Sequence, residues 1–236
     1  MKILLLITAL LLINSSILFA QKADENKKED PGRVIVMMKT QLNFPDFHFF
    51  QDINDQIVTQ LPFDAKVVDD FPVSPVYKFD INWKEFNSFI ISITGFWHST
   101  GSRIHYEDYS GEYHSDIIVN ATGFGFGLTK FFAMSNSPMQ LGLTIDFGFF
   151  EKDYRFEDYT RIGNEDNTQK DSYLESGMYT EPGFILAYVN DNFLVGLNFG
   201  YMLDLNSSNA GGRAPLISYN SGRIGLVFGL NSNIFK

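Results

Sequence analysis

The chain contains no cysteine. Disulfides, thiol nucleophiles, cysteine-ligated metals and a lipidated N-terminal cysteine are therefore excluded. Positive charge is scarce too: 18 Lys and Arg stand against 28 Asp and Glu, a net charge of −10 at pH 7. Lys2 is the only charged residue among the first 20, so the remainder carries −11. A nucleic-acid binder needs a basic face, and this composition does not supply one. Beyond residue 20 no apolar run approaches the roughly 20 residues a membrane helix requires. The sequence also lacks a P-loop, a dinucleotide-binding fingerprint and a zinc-protease motif.

Phenylalanine and glycine are abundant instead, with 24 Phe and 19 Gly. Their placement follows a rule. Thr122, Phe124, Phe126 and Leu128 alternate with Gly123, Gly125 and Gly127. Further on, Met139, Leu141, Leu143, Ile145, Phe147 and Phe149 alternate with Gln140, Gly142, Thr144, Asp146 and Gly148. This is the period of a β-strand. The second face is too small for an ordinary solvent surface and too polar for a core. It fits the lumen of a narrow closed barrel whose bulky face meets lipid. With no apolar helix available, a closed sheet is the remaining way to satisfy a backbone inside a bilayer.

Taken in order, residues 1–20 read as a cleaved secretory signal peptide: Lys2, an apolar run from Ile3 to Ile13, and Leu18-Phe19-Ala20 before Gln21. Residues 21–32 are charged, end in Pro-Gly, and read as a disordered lead. Residues 33–236 read as one barrel domain. Alternation predicts eight strands, at 33–43, 76–83, 86 to beyond 103, 112–132, 139–151, 174–189, 193–204 and 222–235. Long connections are expected at 44–73, 152–173 and 205–219, and short turns at Lys84-Glu85, at Ser135–Pro138 and at Asn190–Asn192. Ile53, Ile57 and Leu61 recur at helical spacing, predicting a short helix in the first long connection. Pro182 predicts a bulge or kink. The fold class is all-β, an eight-stranded antiparallel up-and-down transmembrane β-barrel.

The alternation, the inward glycines, the unequal loops and the N-terminal segment resemble the small eight-stranded outer-membrane barrels of Gram-negative bacteria, the OmpA-transmembrane or OmpX-like class. The resemblance covers residues 33–235. It departs at the C-terminus, where such barrels usually end on an aromatic residue; here Phe235 is penultimate and Lys236 last. It implies integral residence in the outer membrane, outer-membrane lipid as surroundings, a monomer, no cofactor, and a structural or surface-interaction role through extracellular loops. An extracellular or envelope protein is then the expected partner. The alternatives are an accessory component of an envelope or secretion assembly and a lipid A-modifying enzyme. A soluble lipocalin-like barrel would instead require the aromatic face to point inward.

Residues able to carry chemistry are few. Lys39, Lys78, Asp80, Asp146, Glu181, Asp204 and Arg223 fall on the inward face, where a structural ion-pair network is the plainer reading than a proton path. His98 and Ser99 are adjacent and point apart, so they form no dyad, and no catalytic residue is assigned. Asn164-Glu165-Asp166-Asn167 lacks the spaced pattern of a calcium loop. The hairpin of the third and fourth strands is longer than a bilayer crossing needs and should project outward. A two-residue turn at Tyr109-Ser110 places His105 opposite His114, Glu107 opposite Glu112 and Arg103 opposite Asp116. His105, His114, Glu107 and Glu112 on one face could hold Zn²⁺; a solvated polar hairpin is the plainer reading. A three-residue turn with Gly111 left-handed would instead send the two histidines to opposite faces.

Overall fold

A computed structural model describes residues 35–45, 47–86, 89–134, 138–190, 193–209 and 219–231. Residues 1–20 and 21–32, expected to be a signal peptide and a disordered lead, lie outside the described residues, as do Phe235, Lys236 and the expected turn residues around Asn136 and Asp191. Among the described residues the strands are β1 (Ile35–Pro45), β2 (Lys66–Asp70), β3 (Ser74–Phe86), β4 (Phe89–Asp108), β5 (Gly111–Ala133), β6 (Met139–Ile162), β7 (Glu165–Val189), β8 (Phe193–Asn209) and β9 (Ser221–Asn231). One helix, α1 (His48–Gln60), lies between β1 and β2.

Every pairing is antiparallel, and the ring closes through β1–β3, β3–β4, β4–β5, onward to β8–β9, and β9–β1. These are the eight strands of the sequence reading. The ninth strand, β2, is an unexpected addition that pairs with the upper part of β4 alone. Closure leaves the barrel wall without an edge, the condition for spanning a bilayer.

The alternation is kept through the wall. Phe124, Phe126, Leu143, Phe149, Leu197 and Leu226 are exposed on the outside. Gly125 and Gly148 face each other across β5 and β6. A Cβ at Gly125 would fall on the Phe147 carbonyl oxygen, and one at Gly148 on that of Phe124. Only glycine permits this approach. The exposed apolar face of β6 runs from Met139 to Phe149 and gives way to Glu151 and Asp153. That is the length of a tilted bilayer crossing, about 9–11 residues. The band has aromatic edges. Tyr77 stacks on Trp97, and at the other end Tyr188 stacks on Phe193 while the Lys130 ammonium lies 4.8 Å from the Phe89 ring centre. Apolar outside and charged inside is a membrane-spanning barrel, the inverse of a soluble one.

Several expectations need correction. Residues 152–173 are not a loop: β6 continues to Ile162, Gly163-Asn164 makes the turn with Gly163 at φ 61°, and β7 starts at Glu165. The apolar alternation fades there because the outer face leaves lipid, yet polar pairs hold the register. Residues 44–73 hold both α1 and β2, and Leu205–Asn209 belong to β8. β3 runs through Lys84-Glu85, which pair with Ile91 and Ile90 and so do not form the expected turn; residues 87–88 lie outside the described residues. Pro182 causes no register shift. Pairing steps from Thr180↔Leu203 to Gly183↔Gly200, and the bulge lies at Met178/Tyr179. A proline lacks a donor and interrupts a ladder without displacing it.

Candidate interaction surface

The lumen is filled by layers. Met37, Ile185, Ala187, Leu194 and Val227 form an apolar plug near the short-turn end. Above it lies the charged layer. Lys39 pairs with Asp80 at 2.5 Å, Lys78 pairs with Asp146 and lies 3.1 Å from Glu181, and Arg223 lies 2.7 Å from Glu181. All six side chains are buried. Asp204, the seventh residue of the expected set, sits in a separate cluster with Lys152 at 3.7 Å, and Lys152 also lies 3.0 Å from Glu175. Lys152 falls in the segment 152–173 that the sequence reads as a loop, because polar residues there mask the strand period, and Glu175 in the expected strand 174–189. His98 points inward, with Nε2 2.7 Å from Ser74 Oγ and 3.2 Å from Asn43 Nδ2, and its Nδ1 against the Tyr219 hydroxyl. Each buried charge thus has an opposite partner, which is what a low-dielectric interior demands.

The mouth is closed by the segment between β1 and β3. Phe47 and Phe50 insert into the barrel, with ring centres 5.7 Å from Tyr219 and 5.5 Å from Tyr154 respectively. Asn54, one turn beyond Phe50, donates to Ser102 Oγ at 2.6 Å. The helix therefore buries Phe50 and Asn54, with Ile53 packed alongside, instead of the face led by Ile53, Ile57 and Leu61. Phe71 ends β2 at φ 45°, a conformation bulky residues rarely adopt. Its buried ring stacks on Phe50 at 5.3 Å, and its amide donates to the Gly101 carbonyl. Packing over-determines the strained backbone.

One wall of the barrel rises above this mouth. β4, β5, β6 and β7 extend past the apolar band, and β2 covers the free side of β4. The inner face of the projection is covered: Phe63 stacks on Tyr106 at 4.5 Å, and Phe156 lies 6.3 Å from Phe50. Its outer face is a ladder of charge. Arg103, Asp116, Glu157 and Lys170 share one cross-strand row, and Glu107, Glu112, Arg161 and Asp166 another. Arg103 binds Asp116 through two hydrogen bonds of 2.6 Å, Lys170 lies 2.7 Å from Glu157, and Arg161 3.0 Å from Glu112. The Asp116 carboxylate holds the Arg103 guanidinium above its ordinary pKa.

The hairpin register is the one the two-residue turn implies. All 20 residues of β4 pair with β5 without a shift, from Asp108↔Gly111 to Phe89↔Lys130. Asp108 fastens the turn: its Oδ1 accepts from the Ser110 amide at 2.8 Å, the Ser110 hydroxyl at 2.6 Å and the Gly111 amide at 3.1 Å. These donors, together with the Tyr106 hydroxyl, which donates to Oδ2 at 2.6 Å, depress its pKa to about 2. His105 and His114 are directly opposed, with Tyr159 stacked on His114 at 4.7 Å. Donor atoms of His105, Glu112 and His114 all lie within 4.8 Å of one another. Glu107 is outside that set. Asn164-Glu165-Asp166-Asn167 runs from the turn into β7, where successive side chains diverge, so no calcium cage is built.

No protein-family model matches the chain, and no curated protein sequence is significantly similar to it. Among solved structures it resembles Neisserial surface protein A, at 10% identity and a TM-score of 0.38, covering 84% of this chain and 96% of that one. It also resembles Ail, the attachment invasion locus protein of Yersinia pestis, solved with the heparin analogue sucrose octasulfate. That likeness has 13% identity and a TM-score of 0.41, covering 86% and 99%. A third is the N-terminal β-barrel domain of Pseudomonas aeruginosa OprF, at 12% identity and a TM-score of 0.33, covering 85% and 98%. Likenesses this distant say nothing of what the present chain binds.

Proposed function

We propose that this protein is an integral outer-membrane barrel that acts by contact, presenting the wall of β4–β7 to a protein partner outside the cell. The observation that supports this most is the projection itself. Four strands continue well past the apolar band, held together by cross-strand ion pairs. A barrel needed only as a membrane filler requires no such wall. The filled lumen gives no reason to invoke transport, and the paired interior charges serve folding. A cleaved signal peptide at residues 1–20 belongs to this reading as the route of export, and residues 21–32 as a disordered lead. The barrel works as a monomer in lipid, without enzymatic chemistry.

The test has two parts. Asn167→Cys in the projection and Pro138→Cys at the short-turn end are labelled on intact cells with a membrane-impermeant thiol reagent. Labelling of Asn167→Cys alone is expected; labelling of Pro138→Cys alone reverses the topology and ends the proposal. A photo-crosslinking residue at Thr168 should then trap a discrete adduct, while one at Leu226 in the lipid band should trap none. Equal adducts from both sites would remove the projection from the argument. An adduct with an envelope protein, not an external one, would mark the chain as a component of an envelope assembly.

A further inference from the structure

The outer face of the β4–β5 hairpin carries a cluster that contact with a partner does not require. We propose that His105, His114 and Glu112 form a binding site for a divalent transition-metal ion of the Zn²⁺ type. Three observations converge. First, the donor atoms are already gathered, all within 4.8 Å of one another. A tetrahedral zinc site places its donors roughly 3.3 Å apart, given bonds of about 2.0–2.1 Å. The remaining closure lies within small side-chain rotations, since all three residues are only partly buried.

Second, neighbours hold the donors in useful orientations. Arg161 takes Glu112 Oε2 at 3.0 Å, while Glu112 Oε1 lies 3.8 Å from His114 Nδ1. One carboxylate oxygen is thus anchored and the other faces the imidazole. Tyr159 lies nearly parallel to the His114 ring, with an interplanar angle of 24°. Fixing a ligand through an outer partner is how proteins tune metal sites. The backbone beneath is fixed as well, because the Asp108 turn and an unshifted ladder forbid the one-residue slip that would separate the histidines.

Third, the site has an electrostatic deficit. Glu107 opposes Glu112 directly, and like charges at that separation repel. Arg161 offsets one of them. A bound dication offsets the other, with Glu107 or water in the fourth position; His105 Nε2 is already 3.9 Å from Glu107 Oε2. Lys66 of β2 opposes His105 in the same row and works against the cation. Two imidazoles and a carboxylate suit zinc, nickel or copper, whereas calcium and magnesium favour all-oxygen sets.

The experiment is a calorimetric titration of the untagged, micelle-solubilised barrel with Zn²⁺. Native heat-modified mobility is required of every variant, and His114→Gln, which keeps size and polarity, backs up His114→Ala. The chain has four histidines, so His48→Ala serves as the control for adventitious imidazole binding. One zinc per chain is expected. Affinity should fall by more than about 10-fold in His105→Ala and in both His114 variants, fall less in Glu112→Gln, and stay unchanged in His48→Ala. Lys66→Ala should bind more tightly. The proposal is overturned if the wild type takes up no zinc, if the His114 variants titrate like the wild type, or if Ca²⁺ competes equally.

Discussion

Lys78 shows how a single residue holds the interior together. Its ammonium serves both Asp146 and Glu181, and Glu181 is shared with Arg223. Lys78→Met would take from buried Asp146 its ion-pair partner and leave Glu181 with Arg223 alone. It should cost about 3–5 kcal/mol, the range for breaking a buried ion pair from one side. Asp146→Asn leaves Lys78 still paired with Glu181 and should cost clearly less. Urea midpoints of the two variants in micelles decide it; equal losses would mean that the network is not shared as described. A second residue-scale prediction concerns pH. The folded pKa of Asp108 is depressed to about 2 from an ordinary 3.8. Its cap on the hairpin turn is therefore fully present above the ordinary value and is lost as pH falls through about 2. The Ser110 and Gly111 amide resonances should hold their positions down to about pH 3 and shift below it; movement centred near pH 4 would show that the cap is not formed.

At the scale of elements, the β5–β6 pair depends on close backbone contact at glycine, as the β7–β8 pair does at Gly183 and Gly196 and the β9–β1 pair at Gly225. Gly125 and Gly148 oppose each other, and a Cβ on either strikes the neighbouring strand's backbone. Gly125→Val should prevent assembly, whereas Gly222→Val, at a position with nothing within 4 Å of an added Cβ, should assemble normally. Heat-modified gel mobility reports both. Glycine placement could be read in the sequence because it followed period two. The upper halves of β6 and β7 could not. There Lys152, Tyr154 and Phe156 face inward while Asp153, Arg155 and Glu157 face outward. The outward set is charged there and the inward set mixes Lys with aromatics, so the apolar-outward period ends although the strand persists. Cross-strand charge matching, such as Glu157 with Lys170, is visible only once the register is known.

For the molecule as a whole, the decisive property is an exterior that cannot face water. Leu197 is exposed on β8 within the apolar band, and Thr160 lies in the projection. Leu197→Arg should destabilise the barrel by roughly 2–4 kcal/mol, the cost of Arg near a bilayer midplane. Thr160→Arg should leave it within error of the wild type. Comparable unfolding midpoints for the two would deny the apolar band its lipid. The projecting wall should also survive changes that loosen the mouth. Phe50→Ala removes the ring that packs on Phe71 and Tyr154, and would cost about 3–5 kcal/mol in a well-packed core. Because the wall is laddered through its own backbone, protease sensitivity should rise within 46–73 before it rises in β6–β7.

The sequence by itself determined the barrel and the sidedness of its wall. A side-chain period of two, with no apolar run of membrane-helix length beyond residue 20, leaves one closed solution, and it placed Lys39, Lys78, Asp80, Asp146, Glu181, Asp204 and Arg223 inside. For the β4–β5 hairpin it left a two-residue and a three-residue turn open, and the structure takes the two-residue one, unshifted along the whole of β4. Tertiary structure decided what lies over the mouth and above the membrane. Whether Phe47 and Phe50 enter the barrel depends on the space left by Tyr154, Tyr219 and Phe71, which come from distant segments. That Glu112, not Glu107, joins the two histidines depends on side-chain rotation and on Arg161 from a third strand. Periodicity is local and survives in one dimension; these arrangements are set by neighbours that sequence order does not bring together.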